Sequence, residues 1–340
     1  MKKLIVLLFL CNSAFAFTQV EIDASAVDTT QEEERYIDYS NQLLLKVMTV
    51  VKQNTQEIVN TSNEQTLQLS PYGITSLGCG FNYKWLGLGI AFGLPASAAD
   101  QERYGKTKRF DFQLNIYSKK FVVDAFAQQY KGFHIANPNA LTVWDSLNFP
   151  QRDSMQTFSL GVGGFYVFNH KKLSYKAAYV RNAVQKKSAG SFLLGGFYNI
   201  DYAGFDGNYK YSFVPSYFPQ EVQDTFNIDA YVSRSMGISF GYTYTVVFFK
   251  HFFANLSLIP GVGIKNLEVH KRGVGNVVER GGAARFNGRL AIGYDSKHFM
   301  IGLTSFTTTG TLEFENFEIK PSTSNVRFFI AKRFNVSRKK

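Results

Sequence analysis

Residues 237–241 read GISFG and match the G-x-S-x-G pattern that carries the nucleophile of many serine hydrolases. Such a serine sits on a sharp turn between a strand and a helix, within hydrogen-bond reach of a histidine base. Here the surrounding stretch, MGISFGYTYTVVFF at 236–249, alternates large apolar residues with Gly, Ser and Thr, and the alternation continues past Ser239. A period of two predicts an uninterrupted strand. We therefore interpret Ser239 as a small inward-facing residue and not as a nucleophile.

The other residues that could support catalysis or bind a metal have no partners at a useful spacing. Cys79 lies in LGCGF at 77–81, where a packing role is expected. The three adjacent carboxylates Glu32, Glu33 and Glu34 cannot all point at one ion, and no zinc, calcium-loop or P-loop spacing occurs. Of the five histidines, His134 and His270 fall in predicted external loops and have no Ser or acid partner at a telling spacing, and the other three lie at predicted tight turns on the periplasmic side. The histidines are His134, His170, His251, His270 and His298. We expect neither an enzyme nor a cofactor or metal site.

The N-terminal residues predict export. Residues 1–16 combine two lysines, an apolar run and the small-x-small pattern Ala14-Phe15-Ala16, which is typical of a cleaved signal peptide. Cleavage after Ala16 leaves Cys79 as the one cysteine, so no internal disulfide is expected. We expect residues 17–40 to form an irregular periplasmic segment, 41–334 a membrane barrel, and 335–340 a basic tail.

The composition indicates that much of the protein surface contacts an apolar environment, although no segment could form a transmembrane helix. Aromatic residues make up 16% of the chain and Phe alone numbers 33, yet no apolar run approaches the roughly 20 residues that a membrane helix needs. The net charge of +11 suits an anionic partner such as lipid phosphates or acidic solutes. Export and the scattered positions of Lys and Arg argue against nucleic acid.

The elements that position these residues are strands with one apolar and one polar face. In KRFDFQLNIYS at 108–118, Phe and aliphatic residues alternate with polar ones, and the same period recurs at 85–94 and 284–295. If such strands enclose a lumen, their polar faces line it. The candidate lumen-lining residues are Arg109, Asp111, Gln113, Asn115, Lys176, Arg285, Asn287 and Arg289.

Short and long connections alternate along the chain. Further strands are predicted at 42–52, 73–83, 121–131, 157–168, 173–181, 189–202, 252–263, 298–308 and 325–334. Long polar links are predicted around 53–72, 95–107, 132–156, 203–235, 264–282 and 309–324. Strands of about ten residues with this alternation are typical of outer-membrane barrels.

Aromatic residues beside the tight turns separate a barrel from a soluble sandwich, because a barrel places a girdle of rings at the membrane interface. The candidate interfacial aromatics are Tyr83, Trp85, Tyr117, Phe121, Phe168, Phe248, Phe249, Phe252, Phe253, Tyr294 and Phe299. Tight turns are predicted at Lys84, 118–120, 169–172, 250–251 and 295–297, and all of them should lie at the periplasmic end. The two strands after 169–172 return the chain to that end near Tyr202, but only one strand is visible before the turn at 250–251. This parity of the turns requires one more strand within 203–235, best placed at Asn208–Val214, and it then places both termini in the periplasm. The sequence thus predicts an all-β, transmembrane, antiparallel up-and-down β-barrel of 12–14 strands, with 14 the best estimate.

Three stretches also resemble a known family. They are YKWLGLG at 83–89, QKKSAGSF at 185–192 and VRFFIAKRF at 326–334. Together they resemble an uncharacterised outer-membrane barrel family of Bacteroidota, one of the domain-of-unknown-function families, over about Asp28 to Phe334. The resemblance implies a β-barrel in the outer membrane of a Gram-negative cell and implies no activity.

Three roles remain open for such a barrel. The first is a porin-like passive channel or uptake barrel, whose lumen is open and anion-favouring, sealed by its own charges, or plugged. The second is a structural or surface-recognition barrel that acts through the long loops at 132–156 and 203–235. The third, against which the lack of paired catalytic residues argues, is a lipid-acting membrane enzyme. The expected partners are outer-membrane lipid including lipopolysaccharide, and the barrel-assembly machinery during biogenesis; the sequence leaves the oligomeric state open.

Overall fold

A computed structural model describes residues 34–73, 75–84, 86–205 and 211–336. The strands are β1 (Tyr36–Asp38), β2 (Leu43–Asn60), β3 (Thr66–Ser70), β4 (Thr75–Tyr83), β5 (Leu86–Gly93), β6 (Lys108–Tyr117), β7 (Phe121–Ile135), β8 (Gln151–Val167), β9 (Ala183–Gln185), β10 (Ala189–Gly204), β11 (Ile228–Phe248), β12 (Phe252–Lys271), β13 (Gly275–Asp295), β14 (Phe299–Phe314) and β15 (Phe317–Phe334). The helices are α1 (Ala98–Tyr104), α2 (Tyr175–Tyr179) and α3 (Gln220–Thr225), with a 3-10 turn at Pro138–Ala140. None of these helices is long and apolar enough to cross a membrane.

Antiparallel pairing of the last strand, β15, with β2 closes the sheet into a barrel. Ten strands form the closed ring, namely β2, β3, β7, β8 and β10 to β15. The short β3 joins β2 to β7 only near one end. Farther along β2, the wall also contains β4, β5 and β6. Thirteen strands of the described chain therefore belong to the barrel sheet, and the estimate of fourteen is not confirmed.

The barrel has two distinct ends. At the terminal end, β2 begins and β15 finishes, and tight turns follow β4, β6, β11 and β13. At the loop end lie the segments 94–107, 136–150 and 205–227, of which 206–210 are outside the described residues. One junction in the wall is incomplete, because β5 pairs only with β4 and β6 only with β7 within the described chain. We call this junction between β5 and β6 the seam.

The polarity of the two faces reverses along the long strands, as β12 illustrates. From Phe252 to Ile264 its outward side chains are apolar and exposed, whereas Asn255 and Ser257 point inward and are buried. Beyond the buried Lys265, the inward residues Leu267 and Val269 are apolar, and the outward ones are polar. The terminal half of the strand therefore suits an apolar surrounding, and the loop-end half suits water.

This reversal explains why two predicted links are strands. The segments 264–282 and 309–324 carry charged and small residues on the outward face, which is typical of loops, but β12 to β15 continue through most of both. The connections are tight turns at 272–274 and 315–316. Gly273 adopts a φ of +76°, in the left-handed region that a tight turn requires. These two long links were wrongly predicted, and so was the link 53–72, because β2 continues to Asn60 and β3 occupies Thr66–Ser70.

A segment between β8 and β10 folds into the lumen instead of crossing the barrel wall. The predicted strand 173–181 is wrong, because these residues form α2 and lead into β9. β9 pairs with β1, so residues 36–38 are not irregular either. We call residues 34–42 and 169–188 together the plug. With 173–181 inside the lumen, the turn parity no longer needs a strand at 208–214, and residues 211–214 form none.

Several predictions fall outside the described residues. They are the signal peptide at 1–16, the part of the 17–40 segment up to residue 33, positions 208–210 of the extra strand, and most of the 335–340 tail. The barrel was predicted to span residues 41–334, and its strands in the structure begin at Leu43 and end at Phe334.

Candidate functional site

Seven of the eight candidate lumen-lining residues lie on two strands and border two neighbouring cavities. The axial cavity has a volume of about 140 Å³, and its lining includes Gln113, Asn115, Arg285, Asn287 and Arg289. The seam cavity, of about 410 Å³, is lined by the inward face of β6 from Arg109 to Tyr117 and by β5. Lys176 is the exception, because it lies on α2 within the plug and borders neither cavity.

The two arginines of the axial cavity have different partners. Arg289 donates to Asp124 Oδ2 at 2.6 Å, to the Tyr117 hydroxyl at 3.0 Å and to Asn287 Oδ1 at 3.0 Å. Arg285 lies 5.0 Å above the Phe197 ring, and its Nε and Nη1 are buried without a hydrogen-bond partner among the described residues. Arg289 is thus neutralised in place, whereas Arg285 keeps unused donors.

The seam cavity exists because the inward face of β5 carries almost no side-chain volume. That face consists of Gly87, Gly89, Ala91 and Gly93, which all line the cavity. The opposite lining is basic and is formed by side chains of β2, β6 and β15. Its charged members are Lys46, Lys52, Arg109, Asp111 and Arg327.

The charges in the seam cavity are only partly paired. Lys52 Nζ lies 2.5 Å from Asp111 Oδ2, and Arg109 donates to the Ser76 hydroxyl. Neither Lys46 nor Arg327 forms an ion pair with any described residue, and Arg327 Nε is buried without a partner. Sequence reasoning missed Lys46, Lys52 and Arg327. Lys46 and Lys52 are six residues apart, so the period of two already places them on one face of β2.

Buried polar contacts hold the plug in the terminal end of the lumen. The Tyr179 hydroxyl donates to Asn255 Oδ1 at 2.6 Å, and the Tyr175 hydroxyl donates to Ser257 Oγ at 3.3 Å. Lys176 Nζ donates to Asp38 Oδ2 at 2.8 Å and ties the two parts of the plug together. Burial alone would raise the pKa of Asp38, but hydrogen bonds from Lys176 and Ser40 lower it below its usual value.

Two arginines fix the plug to the barrel wall. Arg333 pairs with Asp295 at 3.2 Å and donates to the carbonyl oxygen of Arg181 at 2.7 Å. The guanidinium of Arg181 lies 4.0 Å from the centre of the Phe253 ring and 5.3 Å from that of Phe329. Burial lowers the pKa of Arg181 to about 10. The guanidinium therefore remains charged at neutral pH, although no carboxylate in the described part of the chain lies at hydrogen-bond distance from it.

An apolar cluster closes the other end of the lumen. The loop-end cluster joins inward residues of all ten strands of the closed ring, β2, β3, β7, β8 and β10 to β15, with side chains from 205–227. The contributions of the latter segment include Phe205, Phe213, Phe218 and Phe226. Trp144 packs against this cluster, with its ring 5.9 Å from that of Phe218. The lumen is therefore filled by apolar side chains at this end.

Comparison with known proteins adds the family. Residues 27–334 match a family model described as a domain of unknown function, DUF4421. The chain belongs to this family. No curated protein matches it.

Several solved outer-membrane proteins share low structural similarity with this DUF4421 member. The outer-membrane protease OmpT of Escherichia coli has a TM-score of 0.36 at 8% identity, covering 87% of this chain and 98% of that one. The translocator domain of the autotransporter NalP from Neisseria meningitidis has 0.31 at 6%, covering 85% and 88%. Ail, the attachment invasion locus protein of Yersinia pestis, has 0.23 at 11%, covering 63% and 97%. Scores this low carry no functional inference.

The candidate interfacial aromatics of the DUF4421 barrel divide between its two faces. Those that point outward or lie in turns, at least partly exposed, are Tyr83, Phe121, Phe168, Phe248, Phe249, Phe252, Tyr294 and Phe299. Tyr117 and Phe253 are instead inward, at 6% and 5% exposure, so their assignment to the interface is wrong. The period of two forces this result, because Phe252 and Phe253 cannot share a face. Trp85 lies outside the described residues.

The arrangement around Ser239 is that of a strand residue in a cavity wall. β11 runs without interruption from Ile228 to Phe248, and Ser239 lines the axial cavity. His134 packs against the rings of Tyr104 and Phe149 near the loop end, and these two rings stack on each other. No group of His, Cys, Asp and Glu within the described ranges could hold a metal ion. The lumen offers positive charge and hydrogen-bond donors for binding.

Proposed function

We propose that this DUF4421 protein is an integral outer-membrane β-barrel, with its terminal end in the periplasm. We further propose that it is an uptake barrel closed along its axis, and not a permanently open channel. The observation that carries the proposal is the plug packed in the terminal half of the lumen and the apolar cluster at the loop end, with two cavities lined by cationic side chains beside them.

Membrane insertion would explain why the outward face of the terminal half of the barrel exposes large apolar side chains. Residues such as Ile238, Leu258, Val262 and Phe328 are exposed there although they are strongly apolar. In water, a belt of such residues would be a large apolar patch of the kind that monomeric soluble proteins avoid. In a bilayer the same belt is favourable, and the closed ladder satisfies most backbone groups.

Axial closure argues against passive diffusion. An ion entering from the periplasm would meet the plug, in which Tyr175 and Tyr179 lie across the inward residues of β12. An ion entering from outside would meet the loop-end cluster, whose aromatic side chains offer no hydration. Passage requires that both move. The cations Arg285 and Arg327 would then favour anions.

Conductance in a planar bilayer tests this proposal. Refolded wild-type protein, with its fold checked by heat-modifiable gel mobility, should give no steady current. A variant in which short Gly-Ser linkers replace both 170–187 and 212–226 should give discrete steps with anion selectivity in a salt gradient. Steady wild-type steps as large as those of the variant would contradict axial closure.

A second role, surface recognition, is favoured by exposed apolar side chains at the loop end. Val143 and Leu147 are 96% and 84% exposed, and the ring of Tyr217 stacks on Trp144 at 6.3 Å. Such a patch suits contact with another macromolecule. Photo-cross-linking from position 143 on intact cells should give a discrete adduct that a Leu147→Ser/Tyr217→Ser variant loses. Cross-linking to lipid alone would argue against recognition.

A further inference from the structure

The seam cavity opens through the barrel wall. Its lining includes the inward residues of β5 and β6 and also Leu88 and Phe92, which point outward from β5 and are exposed. A cavity bordered by both faces of a strand reaches the outer surface beside that strand. The opening coincides with the seam, where the described parts of β5 and β6 form no ladder.

An unpaired strand edge has a physical consequence inside a bilayer. Backbone N–H and C=O groups cannot be left facing hydrocarbon, and are tolerated there only where they line a polar cavity. The facing edges of β5 and β6 meet this condition, because the seam cavity lies between them. The seam is therefore a place where polar groups can remain at membrane depth.

The cavity carries an excess of positive charge. Four cations and one carboxylate line it, which leaves a formal excess of three positive charges. Asp111 is already paired with Lys52. Lys46 and Arg327 have no acidic partner among the described residues, and the buried Nε of Arg327 has no acceptor. Such cations are costly at membrane depth unless an anion joins them.

The rim of the opening is apolar. Leu88, Ile90 and Phe92 on β5, and Phe110 and Phe112 on β6, are all exposed on the outer face. At the seam, the cationic seam cavity therefore lies beside an apolar rim that can contact lipid chains. The chamber's volume of about 410 Å³ lies in the range of small-molecule sites, roughly 300–1,000 Å³.

We propose that the seam cavity binds the anionic phosphate head group of a membrane lipid, which enters sideways through the seam and leaves its acyl chain along the apolar rim. Lys46 and Arg327 contact the phosphate, because a guanidinium donates two parallel hydrogen bonds to such an anion. This inference rests on the proposed membrane location, and it names the substrate class of the uptake barrel.

Lipid binding by the refolded full chain in neutral detergent, measured by native mass spectrometry, tests the inference. The probes are lysophosphatidylglycerol, lysophosphatidylcholine of the same chain length, and glycerol phosphate as a head group without a chain. We expect one bound lysophosphatidylglycerol, with an affinity about tenfold above that of lysophosphatidylcholine, or roughly 1.4 kcal/mol. Glycerol phosphate should bind at least tenfold more weakly than the anionic lipid.

Three variants separate the site from general effects. Lys46→Gln/Arg327→Gln should lose the preference for the anionic lipid, and removing unpaired cations should not impair folding. Ala91→Phe should block binding while it keeps every charge, because Ala91 lines the cavity from β5. Arg285→Gln is the matched control, since it removes a cation that lines only the axial cavity. Its lipid binding should equal that of the wild type.

The opposite results would overturn the inference. They are equal affinity for the two lysolipids, unchanged binding in Lys46→Gln/Arg327→Gln, or glycerol phosphate binding as tight as the lipid. Flotation with vesicles, measured on the same preparations, tests the membrane location separately. A heat-modifiable protein that floats but shows no lipid preference refutes only the seam site. A folded protein that does not float refutes the proposed function.

Discussion

Truncating one buried side chain should release the plug. Leu173 is fully buried in the lumen, in a cluster that includes Val122, Phe165 and Leu193. Replacing a buried Leu by Ala costs about 2–5 kcal/mol. If the side chain becomes exposed when the plug leaves, Leu173→Ala destabilises the plugged state by this free energy and leaves the unplugged state unchanged. Even the lower value, about 2 kcal/mol, raises the unplugged fraction roughly 30-fold.

A cysteine beneath the plug reports that fraction. Ser257 is 0% exposed, and its hydroxyl contacts those of Tyr175 and Tyr179. We would place Ser257→Cys in a chain without residues 1–16 that also carries Cys79→Ala, because Cys79 is exposed on the outer face. When opening and closing are fast, the labelling rate by a membrane-impermeant maleimide follows the open population. Leu173→Ala should therefore raise that rate about 30-fold or more.

The matched control is Leu69→Ala. Leu69 is equally buried but lies in the loop-end cluster, so its truncation should lower stability without uncovering Ser257. An unchanged labelling rate in Leu173→Ala, with heat-modifiable mobility intact, would refute the plug as the cover of Ser257. An equal rise in Leu69→Ala would show that labelling reports general loosening.

Three further outcomes are expected. Asp295→Leu leaves the buried Arg333 unpaired and should cost about 3–5 kcal/mol, whereas Asp295→Leu/Arg333→Met should recover most of it, as measured by urea midpoints. On the outward face of β12, Leu258→Arg should cost about 2–4 kcal/mol for folding into vesicles and Asn266→Arg about 0–1, and equal costs would argue against the membrane boundary. The folded pKa of Asp38 lies below its usual value of about 3.9, so its tie within the plug is complete above that pH and is lost as the pH falls below it. Hydrogen exchange of 169–188, corrected for intrinsic rates, should be flat from about pH 7 to 5 and rise only below about pH 4.

The facing of each strand could be predicted from the sequence because it is a local property. A period of two in 108–118 assigns Arg109 and Asp111 to one side and Phe110 to the other, whatever the barrel does elsewhere. The same rule places Tyr117 inside. The interfacial assignment of Tyr117 failed because it relied on the nearness of a tight turn and not on parity.

The plug could not be recognised in this way. Residues 173–181, LSYKAAYVR, alternate enough to resemble a strand, but inside the lumen residues on both faces are buried, including Lys176. A segment that is buried on all sides has no solvent-set period. Its helical state depends on contacts with β12 and with β1, which are remote in the sequence.

The basic lining of the seam cavity is equally non-local. Lys46 and Lys52 lie on the first long strand and Arg327 on the last, and only closure of the barrel makes β2 and β15 neighbours. In that ladder Asn325 lies opposite Lys52 and Ala331 opposite Lys46, which sets Arg327 between the two lysines along the barrel wall. Each cation alone is an unremarkable lumen residue, and only the register makes them a cluster.

The plug and the seam cavity share a side chain, which links axial closure to lateral binding. Tyr179 donates to Asn255 beneath the plug, and it also lines the seam cavity with the neighbouring Val180. A head group in that cavity would therefore border the plug itself. A bound head group shifts the equilibrium between the plugged and unplugged states only by the difference between its affinities for the two states. Because the ring of Tyr179 leaves the cavity wall when the plug moves, a head group that contacts this ring would favour the plugged state by the free energy of that contact.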